Sequence, residues 1–261
     1  PCLPQVPVSA RARSSPRDQL MEQGYVILEG LDGVSLLGAD DISVLDEMPV
    51  QGKWRSIIDE AGEPPTRSGR RQMMAPTDAP SPAVAETLAV ASQAVKARMS
   101  AEGLMGPLGV ASTHSISEEL LLRARRGCEW QSYVHCDRGP EHSMQQGGLA
   151  RMHFSVMVAL MSQTTLWIKP MGSRRLVNVT IPMGGALCWR GDIGHCGSAH
   201  PRGLLSDHYR LFMHVDAKGR PLGKRDAEGL FPCESRYNVR SCSVAYVPYK
   251  LGLGLGLGLD P

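Results

Sequence analysis

From residue 118 onward the chain breaks into short strand-like runs separated by turn residues: 119–125, 129–135, 153–161, 164–169, 176–181, 185–190, 192–196 and 208–215. Many short strands at close spacing, with no internal repeat, bury their apolar side chains by closing into a barrel or a two-sheet jelly roll. The expected class is therefore mainly β with flanking helices.

Upstream the pattern differs. Residues 1–17 are rich in Pro, Ser and Arg and read as a disordered lead-in. Tyr25-Val26-Ile27-Leu28, between Gly24 and Gly30, is a strand candidate, and 40–48 is weakly helical. Residues 60–80 are dense in turn formers and read as a long loop, a candidate substrate lid. The clearest helix follows, with Ser81 as its cap and Pro82 in its first turn. Val84, Leu88, Ala91, Val95 and Met99 recur at helical spacing as one apolar stripe, expected to pack on a sheet rather than on a partner. The Leu-Gly repeat of 251–261 is expected to order poorly and to carry no chemistry. The implied organisation is one domain over 18–250 between lead-in and tail. It comprises a helical and loop part (18–117), a β core (118–216) and an extension (217–250).

Composition narrows the function classes. At 261 residues, 42% hydrophobic and 21% charged, the chain is ordinary for a globular protein, and wholesale disorder is excluded. No run approaches 18 consecutive apolar residues, so no membrane partner is expected. Opening on Pro1 without a basic-then-apolar leader, the chain reads as an excised or processed piece. Of the 28 basic residues 22 are arginine, clustered at Arg11/Arg13/Arg17, Arg67/Arg70/Arg71, Arg123/Arg125/Arg126 and Arg174/Arg175. Such clusters suit an anionic substrate or nucleic acid. A net charge of +2 is no nucleic-acid footprint, and solvated faces are the expectation. Seven cysteines without a CxxC pair favour free thiols, hence an intracellular location, over a disulfide scaffold or a zinc knuckle.

Chemistry concentrates in two segments. In Gln131-Ser132-Tyr133-Val134-His135-Cys136-Asp137, strand alternation points His135 and Asp137 the same way and Cys136 the other. Sixty residues on, Trp189-Arg190-Gly191-Asp192-Ile193-Gly194-His195-Cys196-Gly197 offers a second histidine after a Gly-Asp turn, a separation that suits strands meeting across a barrel. Two imidazoles and a carboxylate on one face leave three positions of a six-coordinate metal open, the pattern of non-haem Fe(II) sites. Fifteen residues past His195, Arg210 lies in a strand-like run. A buried guanidinium needs an anion, and a dicarboxylate supplies one that it can grip bidentately.

HxD, then a distal His, then Arg resembles the Fe(II)/2-oxoglutarate-dependent dioxygenases, which have a double-stranded β-helix (jelly-roll) core. Residues 118–216 carry the resemblance. Leu120–Arg123 with Gly127–Gln131, and Thr165–Ser173 with its Pro-x-Gly-Ser turn, resemble phytanoyl-hydroxylase-like and prolyl-hydroxylase-like members, as does Gly24–Leu28. The resemblance implies His135, Asp137 and His195 for iron and Arg210 for the far carboxylate of 2-oxoglutarate. Tyr133 and Gln131, inward on the HxD strand, contact co-substrate or substrate, or pack. It further implies O2, with ascorbate as an accessory, and hydroxylation of an unidentified small molecule, protein side chain or nucleobase, coupled to decarboxylation of 2-oxoglutarate to succinate. A non-catalytic or zinc-binding jelly-roll module is the alternative, with Cys136 the thiol a zinc site would use. His200 competes with His195, and Arg202 with Arg210. Trp167 walls the pocket or belongs to the core. Histidines 114, 142, 153, 208 and 214 have no carboxylate at ligand spacing and are expected in surface or core roles, His214 facing the barrel with Arg210 by period two.

Overall fold

Strands β5 (Phe154–Val158), β8 (Ala186–Arg190) and β10 (His208–Ala217) bury residues of both faces, so each needs a cover on either side. The computed structural model describes residues 14–49, 53–56, 70–105, 113–129, 134–137 and 152–218, and within them both covers are present. The remaining elements are α1 (Pro16–Gln23), β1 (Tyr25–Leu28), α2 (Ala39–Glu47), β2 (Arg55–Ser56), β3 (Arg70–Met74), α3 (Pro82–Ala101), β4 (His114–Ala124), β6 (Thr164–Ile168), β7 (Val177–Ile181) and β9 (His195–Gly197).

The described strands form two antiparallel sheets. The larger has the order β1-β8-β5-β10-β4-β3-β2, the smaller β7-β6-β9, and a bridge between His135 and His195 adds the HxD segment beside β9. The pairing of β4, β10, β5 and β8 against β7, β6, β9 and the 135 segment is that of a jelly roll. Between the sheets lies a core of Leu120, Leu122, Met157, Ile168, Ile181, Trp189 and Phe212, among others. On the outer face of the larger sheet, Val84, Leu88, Ala91, Val95 and Met99 of α3 pack into a second core with Phe154, Val156, Tyr209, Leu211 and Met213. Lys96 of α3 adds an ion pair to Glu119 of β4. The helical stripe thus packs on a sheet.

Three expectations need correction. Residues 16 and 17, placed in the lead-in, open α1, where Ser15 Oγ accepts from the Asp18 amide at 3.2 Å and Pro16 occupies the first turn. The 60–80 loop contains β3, paired with β4 through Arg70↔Ala124 to Met74↔Leu120. Its Arg-Arg-Gln start hides the strand, because the partners that let the arginines enter the interior are backbone atoms. Arg70 donates to the carbonyls of Glu129 (2.6 Å), Gly197 (3.2 Å) and Ser198 (2.7 Å). The arginine clusters are correspondingly divided. Arg70, Arg71 and Arg123 are buried, whereas Arg17, Arg125, Arg126, Arg174 and Arg175 are exposed as expected. Arg123 binds Asp207 at 2.6 Å and stacks over the Trp54 and Tyr209 rings. Strand ends shift by a few residues, most at β4, which starts at His114, and at β9, where the Gly-Asp turn delays the strand to His195.

Gly24 illustrates how this frame reaches the site. Its φ is +85°, and a Cβ there would come within 2.5 Å of Ile193 Cδ1, so glycine alone lets α1 end against the segment leading into β9. Among the described residues no helix is long and apolar enough to cross a membrane.

If α3 packs as described, Leu88→Ala lowers unfolding free energy by about 2–5 kcal/mol, the usual range for a buried leucine, in a denaturant melt. A loss under about 0.5 kcal/mol, the scale of surface substitutions, contradicts burial of that face.

Candidate metal centre

His135 and His195 exchange backbone hydrogen bonds, N to O at 3.0 and 2.9 Å, so they sit directly opposite each other and their side chains leave the sheet on one side. Their rings lie 4.5 Å apart. Asp137, two residues on, turns its carboxylate between them, with Oδ2 at 3.4 Å from His195 Nε2 and Oδ1 at 3.8 Å from His135 Nε2. One ligand atom from each of the three falls within 4.8 Å of the others. His195 Nδ1 is 3.1 Å from the Ile193 carbonyl, which only accepts, so Nδ1 carries a proton and Nε2 is the nitrogen turned towards Asp137. Trp189 meets the His195 ring edge-on at 5.0 Å.

The charge distribution favours an ionised carboxylate. Burial works to raise the Asp137 pKa, but His195, His214 and His135 and the hydrogen bond from Ser155 outweigh it and hold the group well below the usual carboxylate range. Two imidazole nitrogens and an ionised oxygen suit an octahedral divalent transition metal with open positions. The described cysteines stand apart from this group. Cys136 donates to the Asp192 carbonyl, and Cys196 packs with Val134, Leu176 and Trp167, which places Trp167 in a core cluster.

Arg210 lies on β10 opposite Leu122 of β4, on the inter-sheet face shared with Phe212 and His214. Four residues of strand, about 13 Å, separate its Cα from that of His214, which pairs across the sheet with Ser155, the residue bonded to the carboxylate. Its guanidinium is buried, and Nε has no hydrogen-bond partner among the described residues. Burial, then the charge of Arg70, lower its pKa to about 9 against a smaller raising effect of Cys128, so it remains a cation at neutral pH. An orphaned donor of this kind calls for an anion.

Other expectations divide. His200 bonds the Ser206 carbonyl at 2.9 Å and is not one of the three clustered ligands. Arg202 sits in the turn after Pro201. Tyr133, Gln131 and His142 lie outside the described residues. His114 and His208 are buried with backbone partners, Met152 O and Ser162 O. His153 is a core histidine as expected, and although the sequence puts no carboxylate at ligand spacing from it, pairing of β5 with β10 brings its Nδ1 to 2.9 Å from Asp216 Oδ1, some sixty positions away. His214 acts electrostatically on Asp137. Sequence reasoning missed Ser155 altogether, whose hydroxyl meets Asp137; its signal is a lone hydroxyl in the apolar run Phe154–Val158.

No protein-family description matches the chain, and no curated protein does. Solved structures match. A prolyl hydroxylase from Trichoplax adhaerens, in complex with a hypoxia inducible factor peptide fragment, aligns at TM-score 0.50 and 14% identity over 78% of this chain and 88% of its own. HygX from Streptomyces hygroscopicus, with nickel and 2-oxoglutarate bound, aligns at 0.50 and 13% over 81% and 91%. The epimerase SnoN, in complex with Fe3+, alpha ketoglutarate and nogalamycin RO, aligns at 0.50 and 12% over 88% and 94%. The chain thus shares the jelly-roll fold of these structures.

His208, beside Arg210, gives a pH test of this polar interior. Burial, then the Arg210 charge and, more weakly, His200, lower its pKa from 6.5 to about 4, against a raising bond to Ser162 O. Between those values the unfolded chain takes up a proton that the folded one refuses, so stability is full above pH 6.5 and declines as pH falls towards 4. The contribution is on the order of 3 kcal/mol. His208→Gln, which keeps a donor for Ser162 O but does not titrate, flattens the stability–pH slope over that window; an unchanged slope refutes the assignment.

Proposed function

We propose that the chain is an Fe(II)- and 2-oxoglutarate-dependent dioxygenase, with His135, Asp137 and His195 as the iron ligands and Arg210 as the anchor for the far carboxylate of 2-oxoglutarate. The observation that carries the reading is the convergence of the two imidazoles and the carboxylate within 4.8 Å, in a fold shared with 2-oxoglutarate oxygenases. Fe(II) with 2-oxoglutarate and O2 supplies the oxidative chemistry, decarboxylation to succinate and CO2 coupled to hydroxylation of a substrate C–H bond.

The chain's own residues do the rest. His195, its Nδ1 proton held by Ile193 O, presents Nε2; His135 presents the second imidazole; Asp137 is ionised in advance by its neighbours. The three would hold the metal and leave positions for co-substrate and oxidant. Arg210, buried on the inter-sheet face of β10, would take the far carboxylate of the five-carbon diacid. Trp189, Phe212 and Leu122 keep the neighbourhood apolar, which strengthens the guanidinium–carboxylate pair by excluding water. Ascorbate remains an accessory reductant in this reading. Substrates extend to a small molecule, a protein side chain or a nucleobase.

Succinate formation from 2-oxoglutarate, with Fe(II) supplied, tests the assignment. Alanine at His135, Asp137 or His195 is expected to abolish it. Arg210→Met is expected to raise KM for 2-oxoglutarate by about 10–100-fold, the value of a buried charge-assisted hydrogen bond. Full activity in His195→Ala with loss in His200→Ala reassigns the second imidazole. Metal and 2-oxoglutarate binding without succinate, across candidate substrates, makes the chain a binding module.

A further inference from the structure

The metal centre proposed above needs three positions kept open, two for a chelating keto acid and one for O2, and a carboxylate ligand can close one by binding through both oxygens. One side chain bears on that choice. Ser155 is fully buried in β5, where every other residue is apolar. Its hydroxyl donates to Asp137 Oδ2 at 2.5 Å, across 18 residues of chain. Asp137 stands at a bend just past the bridge residues, whereas Ser155 is fixed on a strand paired on both sides, opposite Trp189 of β8 and His214 of β10. Donor rigidity therefore exceeds that of the carboxylate, and the bond sets the carboxylate's rotation. A hydroxyl-to-carboxylate bond is charge-assisted, and in a buried place no water replaces it cheaply.

We propose that Ser155 is a positioning residue that fixes Asp137 as a one-oxygen metal ligand. By committing Oδ2 to a hydrogen bond, it keeps a coordination position for the co-substrate. The inference rests on the metal centre proposed above. Its distinguishing consequence is that loss of the hydroxyl spares metal affinity, since the carboxylate gains a second bond to the metal, and weakens the keto acid that competes for that position. A serine that merely packs β5 against the carboxylate has no such selectivity.

The test uses the full chain with Ser155→Ala and Ser155→Thr. It measures Mn(II) titration, 2-oxoglutarate titration of the Mn(II)-loaded protein, visible absorption of the Co(II) form, and the metal-free melting temperature. Ser155→Ala is expected to bind Mn(II) within about threefold of the parent, to lose about tenfold or more in 2-oxoglutarate affinity, and to shift the Co(II) absorption, a scale in line with groups that orient metal ligands. Ser155→Thr, which restores a hydroxyl, restores both. Unchanged 2-oxoglutarate affinity with a superimposable Co(II) spectrum in Ser155→Ala overturns the proposal, and so does equal loss in both variants with a lowered metal-free melting temperature. His195→Ala run alongside separates the two levels: undiminished Mn(II) binding there removes the metal centre itself.

Discussion

Two backbone hydrogen bonds between His135 and His195 are the interaction on which the site depends. Residues directly opposite in an antiparallel pair point to the same side, so this bridge alone turns two imidazoles sixty positions apart into neighbours. Asp137 follows by alternation. The bridge is short and sits at the margin of the smaller sheet, so its surroundings must hold it. β9 pairs with β6 from Leu166↔Gly197 to Ile168↔His195, Ile193 lies against Gly24, and Arg70 gathers the carbonyls of Glu129, Gly197 and Ser198. Arg70 thereby ties the chain leading towards His135 to the chain leaving His195.

The interior is expensive. Imidazoles gather round one carboxylate at the centre, and deeper in, Arg210 and Arg70 are buried close enough to repel, with an Arg210 nitrogen unpartnered among the described residues. Such a charge arrangement costs stability in the free chain, and an anion bound there would return it by mass action. The outer core of α3 against β5 and β10 offsets part of that cost with an apolar interface that takes no part in the chemistry.

The fold was legible where its physics is local. Turn-punctuated strand runs located β4 to β10 within a few residues, and Ser81 with its apolar stripe marked α3. The clustered His135, Asp137 and His195 follow from period two plus a long separation. Hidden were features whose cause lies in another part of the chain. β3 reads as loop because Arg70 is buried by carbonyls of 129, 197 and 198, and carbonyls leave no trace in residue identity. The His153–Asp216 pair and the Ser155–Asp137 bond arise from pairing between β5 and β10 and from the approach of a third segment, none of it sequence spacing. Tyr133 and Gln131 fall outside the described residues.

β10 shows why the two cores cannot be treated separately. Tyr209, Leu211, Met213 and Val215 belong to the outer core, while Arg210, Phe212 and His214 alternate with them on the inter-sheet face. Slippage by one residue would exchange the two sets, burying a guanidinium under α3 and withdrawing it from the interior. The apolar half of the strand, gripped by α3, therefore sets the face on which Arg210 and His214 stand. Packing against the helix is in this sense part of the site: it fixes by register what no side chain within the pocket could fix by itself.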